Sequence, residues 1–150
     1  MRLDKIRKLA KSEDTVEGVL EELKEDFEIV DNIAEKMKRD ISGNPETIRV
    51  SLSKLGGAHS NLLTAWGIIE SSKTNVQLSY YYEEKTKLTN ESPGKKFNVS
   101  ATKEDARAQV LNLRRVRNYI DAYVKSASVN ITVLQSLKKR EEQNRQTPGE

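Results

Sequence analysis

The chain has no cysteine, and that single absence removes disulfides, thiolate metal sites and cysteine nucleophiles together. It has one histidine, His59, and a lone imidazole with no thiolate or second imidazole nearby is a packed or interfacial side chain far more often than a metal ligand. Aromatic residues make up only 5% of the 150 residues, which argues against a compact aromatic-rich core. No apolar run approaches the roughly 20 residues that span a bilayer, and the opening MRLDKIRKLAK is too charged for a signal peptide. Also missing are a glycine-rich phosphate loop, a nucleophile elbow, a calcium-loop spacing of carboxylates and a paired-carboxylate constellation. These absences point to a protein that is not an enzyme, with no cofactor, no metal and no membrane partner, working in the cytoplasm.

What the sequence does have is charge. Charged residues make up 33% and hydrophobic residues 35%, a balance suited to helices with narrow apolar seams. The formal net charge of +3 hides a segregation. Residues 1–11 carry Arg2, Lys5, Arg7, Lys8 and Lys11 against Asp4, residues 12–35 carry ten acids against Lys24, and the remainder is strongly basic. A basic body with one acidic segment fits a polyanion and a basic partner on different surfaces, or pairing of those surfaces with each other.

The apolar residues fall into three periodic segments. Val16, Leu20, Leu23, Phe27, Val30, Ala34, Met37 and Ile41 alternate by four and three, a heptad seam that predicts a helix over about 15–41. SGNPE then ends it, with Asn44 as an N-cap and Pro45 in the first turn of the next helix. That second helix is expected over about 45–87, its seam running through Leu62, Trp66 and Ile69. Gly56, Gly57 and Gly67 each cost it roughly 1 kcal/mol relative to Ala. They fit either a close helix neighbour or a break at GGAHS.

LTNESPGKKFNVSA reads as a loop or short hairpin near 89–101. Thr102 with Asp105 resembles an N-cap opening a third helix over about 102–142, and 143–150 reads as a flexible tail. The whole is expected to be mainly α, one helical domain over 1–142 behind a basic N-terminal segment, 1–11, in an elongated coiled-coil-like bundle. Rods this long in a small protein leave seams uncovered, and association between copies is the natural remedy. The expected oligomer interface is Val16, Leu20, Leu23, Phe27, Val30, Leu62, Trp66 and Ile69.

On a helical wheel of the third segment, Arg107, Arg114, Lys125 and Lys139 gather within about 80–120° of Leu113, beside the seam. They read either as a solvated face with ion pairs, as in the i, i+4 series Arg117, Asp121 and Lys125, or as a track for backbone phosphates. Tyr80, Tyr81 and Tyr82 precede Lys85 and Lys87, and Lys95 and Lys96 precede Phe97. The exposed rings among them, Tyr81, Tyr82 and Phe97, are candidates for base stacking. The alternative is that Tyr80 packs while its neighbours lie along the surface, with Phe97 anchoring the loop.

The start MRLD, a long helix closing in LSYYYEEK, the lysine-bearing loop leading to FNVSATKED, and a final helix ending near LQSLKKREE together resemble the bacteriophage recombination mediators of the UvsY type. The resemblance implies a ring-like helical homo-oligomer in the host cytoplasm that binds single-stranded DNA. It further implies partners, a RecA-like recombinase and a single-stranded-DNA-binding protein, with loading of the former onto strands coated by the latter. In that family a cationic stretch just before the paired tyrosines takes part in DNA binding. Here Asn75, Val76 and Gln77 stand at the matching positions, which moves the expected contact to Lys73, Lys85, Lys87, Lys95 and Lys96, with Arg107, Arg114 and Lys125 on the last helix. The alternatives are a scaffolding coiled-coil component of a virion or complex that binds no nucleic acid, and a helical adaptor for a protein partner.

Overall fold

The computed structural model describes residues 2–91, 94 and 96–146. Among these residues there are six helices and no strand: α1 (Arg2–Leu9), α2 (Gly18–Glu22), α3 (Lys24–Met37), α4 (Pro45–Glu91), α5 (Val99–Ala108) and α6 (Leu111–Gln146). The protein is mainly α, as the periodicity predicts.

The start of α4 follows its local signals. Asn44 accepts a hydrogen bond from the Thr47 backbone N–H at 3.1 Å, and Pro45 occupies the first helical position, where its missing N–H is no loss. The helix then continues unbroken past Gly56 and Gly57 to Glu91, because Leu55, Ala58 and Leu62 on its other face are buried. No close neighbour explains the glycines: a Cβ added at Gly56, Gly57 or Gly67 would meet nothing within 4 Å.

Two expected rods are each broken in two. The segment over 15–41 is interrupted before Lys24 and is helical only to Met37. Between Thr15 and Leu20 the backbone uses i→i−3 bonds, with Gly18 donating to Thr15 and Val19 to Val16, a tighter winding than α. Gly18 permits this approach, since a Cβ there would stand 3.1 Å from a Leu9 methyl. The segment over 102–142 splits at Gln109 and Val110, and α5 starts early: Asn98, not Thr102, is its N-cap, accepting from the Ala101 N–H at 3.0 Å. Thr102 instead donates its hydroxyl to the Asn98 carbonyl at 2.9 Å. No strand of the expected hairpin forms among the described residues between α4 and α5. Gly94 there has φ of 90°, a left-handed conformation that favours glycine. Of the expected tail, 143–146 belong to α6 and 147–150 lie outside the described residues.

The chain's contacts form two compact units, Met1–Glu22 with Ala65–Asn118, and Leu23–Thr64 with Tyr119–Glu150. The first buries Ile6, Ala10, Val16, Val19, Ile69, Val110, Leu113 and Val116. Its N-terminal segment is fastened to the start of α6. The two carboxylate oxygens of Glu13 accept from the backbone N–H groups of Asn112 at 2.9 Å and Leu113 at 2.6 Å, while Glu17 pairs with Arg115. A helix has unpaired N–H groups at its N-terminus and a partial positive charge there. Glu13 answers both from 99 residues away.

In the same unit Arg117 meets Glu70 at 2.7 Å, with both side chains partly buried, and Lys73 meets Glu70 at 3.3 Å. The Arg117 hydrogen bond, helped by Lys73, holds the Glu70 carboxyl below its ordinary value against desolvation. A carboxyl depressed in the folded state gives stability that is present above its unfolded value of 4.5 and is lost as pH falls through the folded value. Arg117→Ala should therefore lower stability by about 1 kcal/mol at neutral pH and flatten its decline below pH ~5, as read by urea denaturation across pH.

The second unit buries Leu23, Val30, Ile33, Ile48, Leu55, Leu62, Ile120 and Leu134. Phe27 lies edge-on to Tyr119, ring centroids 5.3 Å apart, and 4.6 Å from Tyr123. The Tyr123 hydroxyl donates to Asp31 at 3.0 Å, and burial, first among several causes, pushes this phenol's pKa up. The buried Asp26 accepts from the Asn61 amide at 3.1 Å, so its carboxylate is satisfied.

These cores correct the expected oligomer interface. Val16, Leu23, Val30, Leu62 and Ile69 are at most 1% exposed and Phe27 8%, with Leu20 and Trp66 half-buried. The reason lies in the broken rods: shorter helices fold back within the chain and cover seams that unbroken ones would have left open.

Candidate functional site

Three consecutive tyrosines on a helix fan out by about 100° each, so they cannot share one environment. Near the end of α4, Tyr80 and Tyr81 are half-buried and Tyr82 is 58% exposed. Desolvation, with Glu84 and Asp105 nearby, raises the Tyr80 phenol. Tyr81 is ringed by aromatics, edge-on to Tyr82 at 5.4 Å and to Phe97 at 5.5 Å. Phe97 thus folds its segment back onto α4, and α5 begins two residues later from the Asn98 cap. That placement fixes the start of α5 beside the tyrosines.

Gln77, Leu78, Tyr81 and Tyr82 of α4 and Lys103, Glu104, Ala106 and Arg107 of α5 line an open groove of about 550 Å³. Lys103 and Arg107 are one helical turn apart on one face. Both are exposed, and neither forms an ion pair among the described residues. The groove therefore joins an apolar floor, an exposed ring and two free cations. That combination can hold a planar base and its flanking phosphates.

The cations expected from the sequence meet different fates. Arg107 lines the groove, and Lys85, Lys87 and Lys96 are exposed. Lys95 lies outside the described residues. Lys73 is withdrawn from any phosphate contact: its side chain is 14% exposed and held by Glu70. Arg114 is half-buried, with its guanidinium turned onto the Arg107 carbonyl at 3.5 Å. Lys125 pairs with Asp121 at 2.8 Å and belongs to the other unit. Since α5 and α6 are separate helices, the wheel that joined Arg107 to Arg114, Lys125 and Lys139 does not apply. Arg117 leaves the expected series too, taking Glu70 in place of Asp121.

Of the aromatic candidates, Phe97 and Tyr81 satisfy each other, leaving Tyr82 as the ring most open to a ligand. Sequence reasoning missed Lys103, whose signal was the i, i+4 spacing to Arg107.

The other unit has a smaller cavity of about 230 Å³, lined by Pro45, Glu46, Ile48, Arg49, Lys138, Glu141, Glu142 and Arg145. It has no aromatic ring, its cations and acids are equal in number, and Arg49 is taken by Glu46 at 2.6 Å. Nothing there favours an anion. No helix among the described residues is long and apolar enough to cross a membrane. The chain matches no family model, no curated protein and no solved structure.

Proposed function

We propose that this protein binds single-stranded DNA through the groove between the end of α4 and α5, and serves as a non-catalytic accessory of recombination. One observation carries the reading: an exposed tyrosine and two cations that form no ion pair among the described residues line a single groove between adjacent helices. Stacking on Tyr82 requires an unpaired base, since a duplex keeps its ring faces covered. Lys103 and Arg107 take the phosphates on either side, and Lys85, Lys87 and Lys96 extend the positive surface. The resemblance to UvsY-type mediators adds the biological setting: a phage-encoded homo-oligomer in the host cytoplasm that helps load a recombinase onto strands coated by a single-stranded-DNA-binding protein. Weak contacts in each copy would then be multiplied by avidity.

Fluorescence anisotropy with labelled oligonucleotides tests this directly. Single strands should bind in preference to duplex, with affinity falling steeply as salt rises. Lys103→Ala with Arg107→Ala should weaken binding about tenfold or more at low salt and reduce the slope of log affinity against log salt by about 1.4, which is 0.7 for each phosphate no longer neutralised. Unchanged affinity in the double variant removes the groove from the site.

A second reading, a scaffolding protein without nucleic-acid binding, is favoured by the outer face of α4. Gly56 and Gly57 have open space around them and Leu63 is exposed, a surface that would accept a helix of a partner. This reading expects no oligonucleotide binding at any salt.

A further inference from the structure

The groove has one lining residue that phosphate binding does not explain. Glu104 lies between Lys103 and Arg107 in sequence and lines the same groove. A carboxylate repels a phosphate, and Glu104 is not tied up elsewhere: it is exposed and forms no ion pair among the described residues. In a groove that only tracked the backbone, this position would weaken binding.

We infer that Glu104 reads the base, giving the groove a preference for bases with an exocyclic amino group. The inference rests on the single-strand reading above. An ionised carboxylate is an acceptor only. In a DNA strand the N–H groups it can take belong to the bases, because the phosphates and sugars along the strand offer none. Cytosine presents its N4 amino group, a recognised partner for a carboxylate. Uracil and thymine present a carbonyl oxygen at that place, and their one N–H is flanked by two carbonyls, so acceptor faces acceptor.

The other lining groups do not discriminate. The Tyr82 ring stacks on any base, Lys103 and Arg107 meet phosphates common to all, and the Gln77 amide can turn to donate or accept. Selection falls on Glu104.

The test compares labelled dC15 and dU15 homopolymers by fluorescence anisotropy at one low salt concentration, because cytosine and uracil differ on their pairing edge without the added thymine methyl. The wild-type chain should bind dC15 about fivefold more tightly than dU15, a single charge-assisted bond in an open groove standing at the low end of base discrimination. Glu104→Gln, whose amide both donates and accepts, should bring the ratio to about one. Its lost negative charge is expected to raise affinity for both strands, so the ratio is the measure. Equal wild-type binding of the two strands, or a preference that survives in Glu104→Gln, overturns the inference and leaves single-strand binding standing. Failure of the wild-type chain to bind either strand removes both.

Discussion

Truncating Phe27 to Ala is expected to lower the unfolding free energy by about 3–5 kcal/mol, the usual loss for a buried phenylalanine. The ring is 8% exposed and packs against both Tyr119 and Tyr123. Removing it leaves a void beside Tyr123 and loosens the ring that holds the hydroxyl on Asp31. Urea denaturation should show a lower midpoint with little change of slope. Light scattering on the same samples separates this role from the one the heptad pattern predicts. A core residue leaves the mass unchanged while folding weakens. A fall in mass with unaltered midpoint would return Phe27 to an interface between copies.

Glu13→Ala is the second large effect, expected at about 2–3 kcal/mol. Two backbone N–H groups lose a charged acceptor, each such bond being worth about 1.5–3 kcal/mol, though exposure of the helix end lets water replace part of this. Loss of helix N-caps falls in a similar range, about 0.5–2 kcal/mol. Hydrogen exchange gives a local readout: the amides of Asn112 and Leu113 should exchange faster, ahead of the rest of α6. Glu13→Gln retains one carbonyl oxygen as acceptor and should recover roughly half of the loss. Full stability in the alanine variant would mean that Glu13 merely rests on the helix end.

What could be read from the sequence followed the range of the forces involved. Asn44 and Pro45 announced the start of α4 because capping acts within three residues, and the heptad seams announced helices because burial acts along one face. The breaks before Lys24 and at Gln109 carry no proline, and no glycine stands at either point. They arise where packing within the chain outweighs helix continuity, which local pattern does not report. The same packing explains why seam residues such as Leu62 and Ile69 read as interface and proved to be core. In the groove, Tyr81, Tyr82 and Arg107 were legible as residue types suited to a nucleic acid, as was Phe97, which packs on Tyr81. Lys103 was obscured because one continuous wheel carried Arg107 away to join α6. Lys73 has the same charge as Lys85, but it packs against Glu70, which also holds Arg117.

The bond from Glu13 to Asn112 closes a loop of 99 residues, and this sets a timetable for the chain as it is made. The N-terminal segment leaves the ribosome long before its counterpart in α6, so during elongation the acid has no amide to receive. Closing so distant a pair demands a large entropy loss before any contact rewards it, the condition that slows folding in chains of high contact order. The seating of the segment around Glu13 onto α6 is thus a late event, one that waits until the start of α6 has been made.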